Sequence, residues 1–324
     1  MRLMTSKAAA ERVEFRAGFA CLVGRPNAGK STLTNALVGI KVAITSDKPQ
    51  TTRHTIRGIV HREDAQLILV DTPGLHRPRT LLGQRLNDLV HATLAEVDVI
   101  GFCSPSDEKV GPGERFICAE LDKIKPGIPI VALVTKIDAA PRQMVADHLV
   151  SVQKLGDEML SRHGGFADIV PCSALTSAQV RDVADVLVSH LPESPPLYLD
   201  GELTDEPEMI MVAELVREVV LGRVREELPH SVAVVVEEMV PGTPDFGTKA
   251  DAEPQLQVRI IIYVERDSQK GIVIGTRGAG LKEIRTQARP RIAALLGVPV
   301  YLDLHVKVAR EWQRDAKQLR KLGF

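Results

Sequence analysis

Gly24-Arg25-Pro26-Asn27-Ala28-Gly29-Lys30-Ser31 is the stretch that decides the fold. Its fixed positions read G-x-x-x-x-G-K-[ST], with the apolar run GFACLVG (18–24) leading in and STLTNALVG (31–39) leading out. A strand that runs through a glycine loop into a helix gathers backbone N–H groups, and the positive end of the helix, around one anion. In such a loop Lys30 reaches the β- and γ-phosphates of a nucleotide, and the Ser31 hydroxyl ligates Mg2+. A strand–helix turn with an incidental lysine is the bland alternative; the flanking strand and helix argue against it.

Downstream, AQLILVD (65–71), VDVIGFC (97–103), IPIVALV (128–134) and ADIVPC (167–172) read as further buried strands, short and rich in β-branched residues. Helix-length segments lie between the strands, among them Thr32–Leu37, Gly83–Glu96 and Pro141–Arg162. That alternation predicts βαβ units and a mostly parallel sheet, whose ligands bind at the carboxyl ends of the strands. Three further elements fall at such ends. Asp71-Thr72-Pro73-Gly74 closes one strand, where an acid can hold Mg2+ through water and the Gly74 N–H can meet a γ-phosphate. Thr135-Lys136-Ile137-Asp138 closes another, and Cys172-Ser173-Ala174-Leu175 a third. Asp138 can accept from both guanine N1–H and the exocyclic amine, the Lys136 stem can lie along the base, and the Ala174 N–H can donate to O6. An Asp after a strand also serves as an ordinary helix cap. Between the glycine loop and Asp71, QTTRH (50–54) offers a Thr to complete a Mg2+ shell, and Thr52 is preferred to Thr51 or Thr55.

The segment LPESPPLYLDGELTDEPE (191–208) carries four prolines and six acidic residues, and reads as a linker. Beyond it Met209–Leu228 is apolar at helical spacing, and Ser231–Glu237 and Gln257–Val264 read as strands around the polar loop PGTPDFGTKADAEPQ. GIVIGTRGAGLKEI, a second helical stretch, the strand VPVYLDLHVKV and a basic tail follow, so the second unit is a small α+β domain. Gly275-Thr276-Arg277-Gly278 is a G-x-x-G turn of the kind that clamps a single-stranded RNA backbone. Ile272, Val273, Ile274, Leu281 and Ile284 are expected to floor its groove; Lys270, Arg277, Lys282, Arg285, Arg289 and Arg291 supply attraction for phosphates. Pro290 is expected in the first turn of a helix capped by Thr286.

The 324 residues make room for two domains, and a net charge of −1 excludes a uniformly basic coat or an acidic disordered chain. Residues 193–268 nevertheless sum to −11 (6 basic, 17 acidic) and residues 269–324 to +8 (12 basic, 4 acidic), so the basic end suits an anionic partner. Cys21, Cys103, Cys118 and Cys172 lack metal spacing and read as buried thiols of a reducing compartment. No signal peptide is expected from the first residues, and no apolar run has membrane-spanning length.

GRPNAGKS, QTTRH, DTPG, TKID and SAL together resemble the translation-factor-related GTPases. With ELPHSVAVVVEE, GIVIGTRGAGLKEI and VYLDLHVKVAREW added, the chain resembles the Era family, GTPases with a KH domain. The resemblance implies an α/β P-loop GTPase domain with a mostly parallel sheet, followed by a smaller α+β KH domain of type II. Its layout would be an N-terminal tail at 1–17, the G domain at 18–190, the acidic linker at 191–208, the KH domain at 209–312 and a basic tail at 313–324. Carried over by motif, GTP would meet Gly24, Arg25, Pro26, Asn27, Ala28, Gly29, Lys30, Ser31 and Thr32 in the loop. It would also meet Asp71, Thr72, Pro73, Gly74 and Leu75, then Thr135, Lys136, Ile137 and Asp138, and Ser173, Ala174 and Leu175. Ser31, Thr52 and Asp71 would hold Mg2+; Lys30, Asn27, Thr52 and Gly74 would serve hydrolysis. RNA would meet Lys270, Gly275, Thr276, Arg277, Gly278, Lys282 and Arg285.

The implied client is single-stranded RNA, the 3′ region of small-subunit ribosomal RNA during 30S assembly, in the cytoplasm, with no DNA partner expected. Three positions depart from the family pattern. Thr135 stands where N-K-x-D has Asn, Thr276-Arg277 replaces the usual Lys-Gly, and Leu75 occupies the place where many small GTPases carry a water-orienting Gln. Slow turnover follows from Leu75, unless Asn27 helps to hold a K+ ion, as an Asn at this position does in related GTPases. His54 and His76 are conceivable bases but read better as loop histidines. Two other classes compete: a binding module with a weak GTPase site, and a regulator in peripheral contact with the inner face of the membrane through REWQRDAKQLRKLGF (310–324).

Overall fold

Strand β1 (Arg16–Gly24) is apolar on both faces, and the sheet around it is covered on both sides. The computed structural model describes residues 15–324 apart from 49–50, 77, 79, 125, 225–227 and 243–254. After β1 come α1 (Lys30–Val38), β2 (Ile56–His61), β3 (Ala65–Asp71), α2 (Leu81–Leu94), β4 (Val99–Pro105), α3 (Pro112–Leu121), β5 (Ile130–Thr135), α4 (Arg142–Met159), β6 (Asp168–Pro171) and α5 (Val180–Ser189). The six strands order as β2-β3-β1-β4-β5-β6, all parallel except β2, which runs against β3. Alternate residues of β1 point to opposite cores: Ala20 and Leu22 pack with α1 and α5, Cys21 and Val23 with α2, α3 and α4. All four cysteines are buried and unpaired, as expected, and burial pushes the Cys21 thiol up to about 12.

Strand β2 is an addition to the sequence reading. IRGIVH is short and interrupted by Gly58, and only its edge position beside the fully buried β3 makes it a strand. Its open edge is covered by the Pro-rich segment after α5: Ile59 N–H donates to Leu203 O at 2.9 Å, and Thr204 Oγ1 donates to Arg57 O at 2.7 Å. Gln66 Oε1 accepts from both Leu197 N–H and Tyr198 N–H, so this acidic segment is strapped to the sheet along its length.

The second unit contains α6 (Glu208–Arg223), α7 (Leu228–Ser231), β7 (Ala233–Pro241), β8 (Leu256–Val264), α8 (Asp267–Ile274), α9 (Ala279–Leu296), β9 (Val300–Val308) and α10 (Ala316–Lys321). Its sheet orders as β7-β8-β9, with β7 antiparallel and β9 parallel to β8, and α6, α8 and α9 close over one face. Most of the polar loop between the two antiparallel strands lies outside the described residues. Pro290 sits in the middle of α9, not in the first turn of a new helix, and Thr286 is no cap: its Oγ1 donates to Lys282 O at 2.8 Å. Pro290 faces solvent, so water can take the carbonyl that its missing N–H abandons, and the helix runs on.

The basic tail is likewise a folded element. Trp312, Leu319 and Leu322 are buried with Ala233, Ile261 and Tyr263, and against Leu82 and Leu86 of α2 in the first unit. The apolar side chains of the tail weighed as a membrane contact are thereby turned inward. Among the described residues, no helix is long and apolar enough to cross a membrane. Trp312 Nε1 donates to Ser231 O at 3.0 Å, and the Arg53 guanidinium lies 5.5 Å from the Trp312 ring centre. Trp312→Ala should cost about 3–5 kcal/mol through the cavity it leaves, and Trp312→Phe about 1 kcal/mol for the lost hydrogen bond. Urea unfolding followed by circular dichroism checks this, and an unmoved midpoint for Trp312→Ala would contradict the burial.

Candidate functional site

The carboxyl ends of β1, β3, β5 and β6 converge on one cleft, because parallel strands deliver every following loop to the same rim. At its base lies Asp71, the last residue of β3 and fully buried. Ser31 Oγ donates to Asp71 Oδ2 at 2.6 Å, Thr52 Oγ1 donates to the same oxygen at 3.2 Å, and the two hydroxyls are 3.1 Å apart. Asp71 Oδ1 has no partner among the described residues. Burial pushes the Asp71 carboxyl above the usual carboxylate range, against the pull of Ser31, Lys30 and Thr52. A buried carboxylate with one oxygen unmet and two hydroxyls beside it is a site that a hard divalent cation fits. Two hydroxyls, with a carboxylate that can act through water, are in keeping with Mg2+, which keeps several of its waters.

Above this cluster the glycine loop closes. Gly29 has φ 89°, a left-handed conformation that lets the loop turn directly into α1. Lys30 is buried, and its Nζ donates to Gly24 O at 3.2 Å and Arg25 O at 3.0 Å. Burial lowers the pKa of Lys30, while the Asp71 charge opposes the fall. Buried cation and carboxylate are thus both pushed toward neutrality, a deficit that phosphate and metal charge would fill. The cavity over them has a volume of about 400 Å³ and is lined by Pro26, Asn27, Gly29, Lys30, Ser31, Thr32, Thr52 and Gly74. Ile44, Thr45, Ser46 and Asp47 also line it, and sequence reasoning missed them. They carry no motif, and only the course of residues 40–48 along the cleft brings them there. Asn27 (φ 64°) donates from Nδ2 to Asp47 O at 2.6 Å, which ties the two loops together. Arg25 is ion-paired to Glu108, in the loop before α3, and to Glu114 in the first turn of α3.

A second cavity of about 270 Å³ adjoins the first through Gly29, Thr32 and Lys136, and is also lined by Thr135, Asp138, Ala174 and Leu175. Asp138 Oδ1 accepts from Ser173 Oγ, so β5 and β6 fix its carboxylate from two sides. Thr135 Oγ1 donates to Ala28 O at 2.7 Å and so braces the glycine loop. Thr72, Pro73 and Leu75 are buried, with Leu75 in the core beside Val90 and Phe102, and Ile137 packs into the same cluster. Those four shape the loops; their side chains do not line either cavity. His54 stacks on Phe324 with ring centres 5.1 Å apart, and His76 Nδ1 meets Gly74 O at 3.0 Å.

In the second unit, the G-x-x-G turn links α8 to α9. A Cβ on Gly280 would lie 2.3 Å from Val273 O, so the close crossing of the two helices depends on this glycine, which the motif did not single out. Arg277 has φ 53°, a left-handed conformation that costs a non-glycine residue roughly 1–2 kcal/mol, at the position where the related pattern has Gly. Thr276, Arg277 and Lys282 are exposed, and Lys270 and Arg285 half-exposed. Arg285 Nε donates to Leu302 O at 2.9 Å. Val273 and Ile284 belong to the core, so they do not floor an open groove, and Ile272 points outward. Arg291 leaves the phosphate-facing set, since Glu218 of α6 holds it at 2.8 Å.

A family model described as a 50S ribosome-binding GTPase matches residues 19–136, and one described as a KH domain matches residues 227–313. The chain is 60% identical over 324 residues to GTPase Era of Streptomyces coelicolor, covering 100% of this chain and 99% of that one. It is 61% identical over 321 residues to GTPase Era of a Nocardioides species, covering 99% and 100%. A solved structure of Era in complex with MgGDPNP and nucleotides 1506–1542 of 16S ribosomal RNA superposes with a TM-score of 0.86 at 36% identity, over 95% of this chain and 99% of that one. An Aquifex aeolicus Era variant bound to GDP.AlF4- gives a TM-score of 0.85 at the same identity and coverage. The chain belongs to the Era family of GTPases: it is a GTP hydrolase with a P-loop domain and a C-terminal KH domain.

If Asp138 is the acceptor for guanine expected from the sequence, Asp138→Asn should weaken GTP by about 1–3 kcal/mol, while xanthine nucleotide, which presents a carbonyl there, gains. Competition between GTP and XTP measures it; retained guanine preference would contradict the pocket's assignment.

Proposed function

We propose that this protein is a GTP-driven switch whose KH domain binds the 3′ region of small-subunit ribosomal RNA during 30S assembly in the cytoplasm. The observation that carries the nucleotide half is the buried Asp71 with its unmet oxygen, flanked by Ser31 and Thr52 beneath Lys30. The RNA half is supported by the exposed Gly275–Gly278 turn with Arg277 and Lys282 around it, and by the ribosomal RNA held in the related Era complex.

In this reading the backbone N–H groups from Gly24 to Thr32 cradle the phosphates, and Lys30 places its charge at the β/γ bridge. Ser31, Thr52 and Asp71 would hold Mg2+, which when bound would supply positive charge to offset that of the phosphates. The Gly74 N–H meets the γ-phosphate, so Thr52 and Gly74 both report whether it is present. Asp138 reads guanine, Lys136 covers the base, and Thr135 acts chiefly by bracing the loop at Ala28. Leu75, buried where a water-orienting Gln would stand, makes intrinsic hydrolysis slow. His54, turned toward Phe324, takes no part as a base. Asn27 uses its Nδ2 on Asp47, and its Oδ1 would help to hold K+; turnover equal in KCl and NaCl would remove that ion from the mechanism. Contact with the inner membrane face would fall to basic side chains of the C-terminal segment alone, since its apolar ones are buried.

The double substitution Thr276→Asp with Arg277→Asp keeps both glycines of the turn and puts two negative charges where phosphates must lie. RNA affinity at low salt should fall by several kcal/mol (on the order of 2–4), with GTP affinity held. A filter-binding titration with single-stranded RNA carrying the small-subunit 3′ sequence is the test. Unchanged RNA affinity would place RNA on another face.

A further inference from the structure

Thr52 is bracketed by two buried guanidinium groups, and both tie its immediate neighbours to the KH unit. On one side Arg217 of α6, 2% exposed, donates from Nη2 to the Thr51 carbonyl, while its Nε and Nη2 grip the Glu214 carboxylate at 2.8 and 2.6 Å. On the other side Arg53 donates to Val232 O at 2.5 Å and Pro229 O at 3.3 Å, under the face of Trp312. Burial pulls the Arg53 guanidinium down to about 9, still a cation at neutral pH. Glu214 stays ionised: burial raises its pKa, but the Arg217 charge and hydrogen bonds lower it further, so the net direction is down. Neither arginine touches the phosphate cavity; each acts one residue away from the hydroxyl that meets Asp71.

We propose that Arg217 is a positioning residue for GTP hydrolysis, which holds the Thr51 carbonyl from the KH unit so that Thr52 faces Asp71 and the γ-phosphate. The triphosphate site is complete only while the KH unit is docked, and GDP, which lacks the γ-phosphate, does not need the clasp. This rests on the role given to Thr52 above. An arginine is required because one planar fork must serve a carboxylate and a carbonyl at once, which a lysine ammonium on a flexible stem cannot do in the same geometry. Breaking a buried ion pair from one side leaves an uncompensated charge, so the informative variants keep the charge balance.

The test compares full-length wild type, Arg217→Lys, the neutral pair Glu214→Gln with Arg217→Met, and Thr52→Val, each checked for an unchanged fold by circular dichroism. Stopped-flow release of fluorescent GTP and GDP analogues in Mg2+, and single-turnover hydrolysis, are measured on each. Arg217→Lys and the neutral pair should release the triphosphate analogue about tenfold faster and lose about tenfold in kcat, with diphosphate release within about twofold of wild type. Equal effects on GTP and GDP, or none, in a folded charge-balanced variant would overturn the clasp. If Thr52→Val itself handles both nucleotides normally, the role of Thr52 fails and the clasp with it. A defective Thr52→Val beside a normal Arg217→Lys and a normal neutral pair would overturn the clasp alone.

Discussion

A carboxylate buried at the end of a parallel strand, with one oxygen unmet, is the constraint on which the rest of this molecule depends. Leaving a charged oxygen unpaired out of water costs about 1–3 kcal/mol or more, so such a group persists where a bound charge offsets the cost. Asp71 is held there by β3, whose seven residues are all buried, so it cannot swing to solvent. The hydroxyls of Ser31 and Thr52 reach it from different loops, and the glycine loop above it buries Lys30. The parallel sheet is the scaffold that brings these loops to one rim.

Residues 40–48 and 51–54 are shared property. Their inner side lines the phosphate cavity through Ile44, Thr45, Ser46, Asp47, Thr51 and Thr52. Their outer side meets the second unit: Glu218 of α6 accepts from Lys41 Nζ and from Thr45 N–H, and the same carboxylate holds Arg291 of α9. Helix α9 begins at the G-x-x-G turn, so a continuous set of polar contacts runs from that turn's helix to the loop over the phosphates. The C-terminal segment closes the other end of the seam with Trp312, Phe324 and Arg85, whose Nη1 donates to Phe324 O at 2.5 Å. A two-domain protein joined only by a flexible linker would have none of this. Here the acidic segment lies along β2, and α6 buries charged residues as well as its apolar stripe.

What could be read from the sequence was whatever is local. The P-loop, Asp71, Asp138 and the G-x-x-G turn each declare themselves within a few residues, and the buried parallel strands stand out as apolar runs. The rest depends on partners distant along the chain. IRGIVH becomes a strand only beside β3. Nothing local marks Arg53, Arg217 and Glu218 for burial, since burying them makes sense only when carbonyls and carboxylates from the other unit arrive with them. Trp312, Leu319 and Leu322 read as a thin apolar tail for the same reason: the surface they cover belongs to α2 and to the far side of the second sheet. Pro290 suggested a helix start from local rules, and a helix already anchored at Ile284 and Ile292 ran through it.

The account turns on the claim that Asp71 is buried in readiness for Mg2+ beside the phosphates. Isothermal titration of GTP into wild type and Asp71→Asn, with Mg2+ and with EDTA, addresses it directly. The amide keeps the shape and removes the charge. Wild type should bind GTP more tightly in Mg2+ than in EDTA, by about tenfold or more, and Asp71→Asn should lose that difference while its EDTA affinity stays near wild type. The same Mg2+ dependence in both proteins would contradict it.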